Sequence, residues 1–227
     1  MNQTTIDIEH YSDVLCVWAY IAQARLIELR NNLGDQVQIN YRFLRVFGDV
    51  QGKMASQWAS RGGLSAYAAH VQEVAAGFDH LQLHPEAWLR NTPTSSVPAH
   101  LVLCGVRVLS LEDPQRFPQQ LIEDFLTQLR TAFFIEVLDV SALQQLLEVA
   151  ERAGIPVAEL ERVLNSGAAH AQLAADLAES VRCDVKASPT MIFNEGRQTL
   201  AGNVGYRVIE ANVRELLRRP GEQQSWC

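Results

Sequence analysis

The sequence predicts an α/β protein in which one sheet-containing domain is split along the chain by an inserted all-helical domain. Two observations carry that reading. Apolar residues alternate with a period of two close to both ends of the chain, and they recur every three to four residues through the middle. The length of 227 residues leaves room for one large domain or two small ones. The expected division is 1–58 with 182–227 for the sheet-containing part and 59–181 for the helical insertion.

Ile6 and Ile8 alternate with Asp7 and Glu9 in a first strand. Trp18, Ile21, Ala22, Leu26, Leu29 and Leu33 follow at helical steps, and Gly34 stands where a carboxyl cap is expected. Val37, Ile39, Tyr41 and Phe43 then alternate with polar residues in a half-buried strand, and a right-handed crossover makes the two strands parallel neighbours.

The middle reads as helix throughout, with segments at Leu64–Ala76, Val97–Leu109 and Leu121–Leu129. Ser141 and Gln144 form a capping box ahead of Leu143, Leu146, Leu147 and Ala150. Two more helices fit Val157–Leu164 and Ala168–Val181. Thr190–Phe193 is a short apolar strand, Asn194–Gly196 a turn and Gln198–Ala201 its hairpin partner. A last helix turns Ile209, Val213, Leu216 and Leu217 inward and stops before Pro220, and the tail from Glu222 is expected to be loosely held.

Composition excludes several classes. Lys+Arg 19 against Asp+Glu 26 leaves a net charge of −7, the wrong sign for a generic binder of nucleic acid or anionic membrane. No window approaches a membrane span, and Asp7 and Glu9 stand where a signal peptide needs a basic and then apolar run; the expectation is a soluble, cytoplasmic protein. Cys16, Cys104, Cys183 and Cys227 are scattered with no Cys-x-x-Cys pair, so free thiols are expected and no metal site.

Cys16 falls where the first strand has ended and the first helix begins. There the N–H groups of Val17, Trp18 and Ala19 lack intrahelical partners and the helix dipole favours thiolate. A small buried hydrophobe is the alternative; its position favours the reactive reading and a surface groove. Ser188-Pro189-Thr190 opens the third strand, and local residues alone favour an ordinary trans proline there. His80 and His84 read as a solvated surface pair, Cys104 as core, and His100 as a helix residue that packs, faces water or lines the groove. Trp18 either covers the thiol or begins an apolar face.

The order of parts is strand, Ser12-Asp13-Val14-Leu15-Cys16-Val17-Trp18-Ala19-Tyr20, helix, strand, helical insertion, Ser188-Pro189-Thr190, hairpin, helix. Asn91-Thr92-Pro93-Thr94-Ser95-Ser96 leading to Ala99-His100, and Gly154-Ile155 followed by Gly167, extend the pattern. Over nearly the whole chain this resembles the DsbA-like thioredoxin-fold family, and most closely its cytoplasmic FrnE-type branch. That branch borders the kappa-class glutathione transferases and the 2-hydroxychromene-2-carboxylate isomerases.

The resemblance implies a thioredoxin fold with an inserted all-helical domain, Cys16 as nucleophile and Pro189 as a cis-proline facing it. Trp18, Ala19, Ser188 and Thr190 would contact a bound thiol or peptide, and Gly202-Asn203 the γ-glutamyl end of glutathione. The family's dithiol members read Cys-Pro-x-Cys, whereas this chain reads Cys16-Val17-Trp18-Ala19, so the resolving cysteine is replaced by Ala19. The expected activity is thiol–disulfide exchange through one cysteine of lowered pKa, on a protein or glutathione substrate. Glutathione serves as co-substrate, no cofactor is tightly bound, and Cys183 is a conceivable resolving partner. A kappa-like glutathione transferase or glutathione-dependent isomerase, and a binding module without turnover, stand as alternatives. A homodimer is compatible with any of these.

Overall fold

The structure, a computed structural model, describes residues 5–218, so Cys227 and the tail from Glu222 lie outside the described residues. Strand β1 (Ile6–Ser12), helix α1 (Val17–Leu33) and strand β2 (Val37–Phe43) open the chain. Helix α2 (Val50–Lys53) runs on through one π turn and one 3₁₀ turn to Arg61. Helices α3 (Gly63–Ala76), α4 (Val97–Glu112), α5 (Gln120–Phe134), α6 (Leu143–Arg152), α7 (Val157–Ser166) and α8 (Ala168–Arg182) follow. Strands β3 (Thr190–Phe193) and β4 (Gln198–Ala201) and helix α9 (Tyr206–Arg218) close it.

The sheet order is β2-β1-β3-β4. β1 and β2 are parallel, in register from Ile6 opposite Val37 to Ser12 opposite Phe43, and the other pairs are antiparallel. β1 is therefore central, and its last residues are buried on both faces. Gly34 ends α1 at φ +52°, with its N–H on the Arg30 carbonyl, a conformation that favours glycine. Asn194, Glu195 and Gly196 all take positive φ in the hairpin turn between β3 and β4. One apolar core runs without a break from Ile6, Ile8 and Phe43 of the sheet to Phe125, Leu146 and Leu160 among the helices.

Several expectations are corrected. Ser141 does not cap α6: that helix starts at Leu143, and the Ser141 hydroxyl donates to Asp139 instead. Helical spacing groups Leu143 with Leu146 and Leu147, and Val181 with Leu173 and Leu177, on inward faces, but both lie at helix ends with their side chains in solvent, Val181 80% exposed. The middle is not helical throughout. Residues 77–96 form a long irregular segment in which Trp88 and Asn91 take positive φ (71° and 50°). Trp88 pins this segment by burying its ring against Phe47, Tyr67 and Phe133.

Candidate active site

Cys16 is the residue before the first turn of α1, with extended backbone angles (φ −79°, ψ 116°). Its thiol donates to the Ser188 carbonyl at 3.2 Å. The Ser188–Pro189 peptide is cis, as the resemblance implies, and it faces Cys16 across the mouth of the sheet. The two segments are tied a second time where the Asp13 N–H donates to Ser188 Oγ at 3.0 Å.

The sulfur lies at the bottom of a groove of about 230 Å³. Trp18 and Ser188 form part of its wall, with Phe47, Trp58 and Tyr67 as an aromatic side and Lys53, His70 and Lys186 as its basic groups. Among the described residues no acidic side chain lines it. The aromatic side is one packed cluster: Trp58 meets Tyr67 edge to face at 5.0 Å and Phe47 tilts against Tyr67 at 5.8 Å. Such a groove suits a ligand with an apolar body and an anionic end.

Burial overturns the expected acidity of Cys16. Only 6% of the residue is exposed, and burial pushes the thiol above its ordinary value, with the Asp13 carboxylate adding to the rise. The Ser188 hydroxyl and the N–H groups of Ala19 and Trp18 pull the other way and do not win. The helix-end donors are thus present where the sequence put them, but desolvation outweighs them.

Cys16, Trp18 and Ser188 come together on the groove. Ala19 is fully buried and presents only its N–H to the sulfur. Thr190 is buried in β3, its hydroxyl on the Ala187 carbonyl at 2.8 Å. Gly202 donates to the Pro189 carbonyl at 2.8 Å, so it sits behind the cis-proline loop, and Asn203 accepts from Arg25. Thr190, Gly202 and Asn203 do not line the groove.

The remaining candidates also lie elsewhere. His100 is fully buried: Nε2 accepts the Val14 N–H at 3.1 Å, the ring stacks on Phe43, and burial lowers its pKa. Cys104 is core, and burial pushes its thiol up to about 12. Cys183 packs against the cluster of Tyr11, Leu44 and Ile192, which Val46 shares with the Cys16 groove; Cys183 itself does not line that groove, and both thiols are free. His84 accepts from the Glu86 N–H and His80 leans on Phe78. Among the described residues no three acids, histidines or cysteines group as metal ligands.

Sequence reasoning missed Lys53, Trp58, Tyr67 and His70, which α2, α3 and the turns between them bring over Cys16. It also left Asp13 without a role, although the residue stands three positions before Cys16 in the quoted motif.

The model of the DSBA-like thioredoxin domain matches residues 7–214, from the start of β1 almost to the end of α9. The chain belongs to the DSBA-like thioredoxin domain family. Among solved structures it is similar to a candidate protein disulfide isomerase from Nitrosomonas europaea, at TM-score 0.74 and 15% identity, over 96% of this chain and 100% of that one. The cytosolic disulfide reductase DsbM from Pseudomonas aeruginosa superposes at TM-score 0.66 and 15% identity, over 94% and 98% of the two chains, and is also known with GSH. The chain is 24% identical to the ClpXP adapter protein SpxH of Halalkalibacterium halodurans, over 96% of this chain and 70% of that one. Within this DSBA-like fold the stretch after β2 and helix α3 supply one wall of the groove over Cys16. No helix among the described residues is long and apolar enough to cross a membrane.

Proposed function

We propose that the protein is a thiol–disulfide exchange enzyme working through Cys16 alone. One observation carries this reading: Cys16 Sγ stands at the start of α1 against the Ser188–Pro189 loop, with Ala19 where a resolving cysteine would be. Once deprotonated, the sulfur attacks a disulfide RSSR′. A bond forms between Cys16 and the RS half, the S–S bond breaks, and R′S⁻ leaves to take up a proton. A second thiol, R″SH, then attacks the RS sulfur, releases RSSR″ and restores the Cys16 thiol. The electrons balance within each exchange, and no bound cofactor is called for.

Glutathione fits the role of the outside thiol. Its two carboxylates match a groove that carries Lys53, His70 and Lys186 and, among the described residues, no acid, and the structural neighbour DsbM is known with GSH. Protein disulfides are the other substrate class. The closed sulfur favours a second reading, a module that binds a protein partner without turnover; the relative SpxH is named as an adapter. Labelling with iodoacetamide against pH, followed by insulin-reduction and glutathione-transfer assays, separates the two. Exchange requires labelling of Cys16 and turnover in at least one assay. A Cys16 that resists labelling, with no turnover in either, leaves the binding module.

A further inference from the structure

Three chain segments besides α3 enclose the Cys16 sulfur: the loop from β1 to α1, the segment that follows β2, and the Ser188–Pro189 loop. The head of α4 backs them. One buried residue bonds to all of them. Asp13 is fully buried, and its Oδ1 accepts the Leu15 N–H at 2.9 Å within its own loop. Oδ2 accepts the Phe47 N–H at 2.9 Å, from the segment after β2, and the Ser96 hydroxyl at 2.8 Å, from the start of α4. Its main-chain N–H donates to Ser188 Oγ at 3.0 Å, and its carbonyl accepts the Cys16 N–H at 3.2 Å.

We propose that Asp13 is a positioning residue for Cys16, a buried carboxylate that clamps the walls of the groove together and sets the charge beside the sulfur. The inference rests on the reading of Cys16 as the exchanging thiol. An isosteric amide cannot take over the clamp. Three donors converge on the two oxygens, so the NH₂ of an asparagine would face either the Leu15 N–H or the Phe47 N–H with Ser96. At least one bond is lost whichever way it points.

The carboxylate also has an electrostatic effect of opposite value. An anion packed near a buried thiol disfavours the thiolate, and Asp13 acts on Cys16 in that sense. Among the described residues, the other charged or titratable groups that line the groove are Lys53, Tyr67 and His70, with Lys186 beside Ser188, and His100 of α4 lies 3.8 Å from Asp13 Oδ1. Arg130 of α5, fully buried behind β1, also feels the Cys16 charge. Burial raises the thiol most; among the charges coupled to it, Asp13 adds to that rise and Arg130 opposes it. The site therefore keeps a fixed geometry and forgoes reactivity at rest, and a basic groove is left to be filled by an anionic substrate.

The test follows Cys16 alkylation by iodoacetamide against pH in the full chain, in Asp13→Asn and in Ser96→Ala. Removing one nearby charge is worth on the order of half to one pH unit at the effective dielectric of a protein, so Asp13→Asn should label about three- to tenfold faster near neutral pH. Ser96→Ala removes one clamp bond and no charge, and its profile should stay in place while its melting temperature falls. An Asp13→Asn profile that is unmoved or moved to higher pH overturns the inference. So does a Ser96→Ala profile that shifts as far, because hydration of a loosened groove would then be the cause.

Should Asp13→Asn fail to fold, the native protein still decides. With ¹³C-labelled aspartate and cysteine, the Asp13 carboxyl resonance should show an inflection at the pH where the Cys16 Cβ titrates. Cys16→Ser should lose that inflection. An Asp13 signal indifferent to Cys16 contradicts the proposal. A Cys16 that ionises normally but is never alkylated instead defeats the exchange reading and leaves the Asp13 coupling to stand or fall on the resonance.

Discussion

Ala19 decides how long a mixed disulfide survives. In this chain the position three residues after the nucleophile offers the sulfur an N–H and nothing more, since Ala19 is fully buried and carries no thiol. Product bound to Cys16 must wait for an outside thiol. Ala19→Cys adds one sulfur to a packed position, costing about 1 kcal/mol of stability, and creates a pair at the spacing of a dithiol site. Treated with a small disulfide, the variant should shed its adduct unaided and lose two thiols to an internal disulfide between Cys16 and the introduced cysteine. The parent keeps the adduct until glutathione is added. Intact mass and thiol counting read both. An Ala19→Cys protein that holds its adduct as long as the parent would show that geometry, rather than a missing thiol, limits release.

At the scale of elements, the helical layer is fastened to the sheet by Asp176 of α8. Its carboxylate is fully buried and receives Arg107 of α4 through two nitrogens, Arg42 of β2 at 3.1 Å and the Phe43 N–H at 3.2 Å. Three elements thus meet on one acid, and Phe43 lies on the strand whose end feeds the groove. Removing one partner from a buried ion network leaves uncompensated charge, so Asp176→Ala should lower stability by about 3–5 kcal/mol in urea unfolding. A loss under about 1 kcal/mol would mean water replaces the carboxylate easily.

Elements were legible in the sequence wherever periodicity was uninterrupted. β1, α1, β2 and the hairpin of β3 and β4 were readable because alternation and helical spacing are local properties. The π and 3₁₀ turns from Met54 to Arg61 and the irregular stretch 77–96 were not, because they are shaped by packing around Trp58 and Trp88. The site divides the same way. Cys16 and Ser188–Pro189 could be named from the order of parts. Tyr67 and His70 lie inside Leu64–Ala76, where helical spacing marks a helix and nothing more, and the upward shift of the Cys16 thiol follows from tertiary burial that no motif records.

For the molecule as a whole, the centre of the core is polar enough to make stability depend on pH. His10 of β1 is fully buried, neither ring nitrogen has a hydrogen-bond partner among the described residues, and burial, with Arg130 second, lowers its pKa to about 3. An unfolded histidine titrates near 6.5. The folded form therefore resists a proton that the unfolded form accepts, so this contribution is complete above about pH 6.5 and is lost as pH falls toward 3. His10→Phe should flatten the fall in the urea midpoint between about pH 6.5 and 4. A variant as acid-sensitive as the parent would place the sensitivity elsewhere.

Single-cysteine exchange is tested most directly by intact and peptide mass spectrometry after exposure to oxidised glutathione at about pH 8.5, close to the ordinary thiol value. Exchange through Cys16 predicts one glutathione per chain on the peptide bearing Cys16, stable alone, removed by reduced glutathione and absent from Cys16→Ser. A Cys16 that stays unmodified while Cys183 carries the adduct, or a Cys16–Cys183 disulfide in place of any adduct, would contradict it.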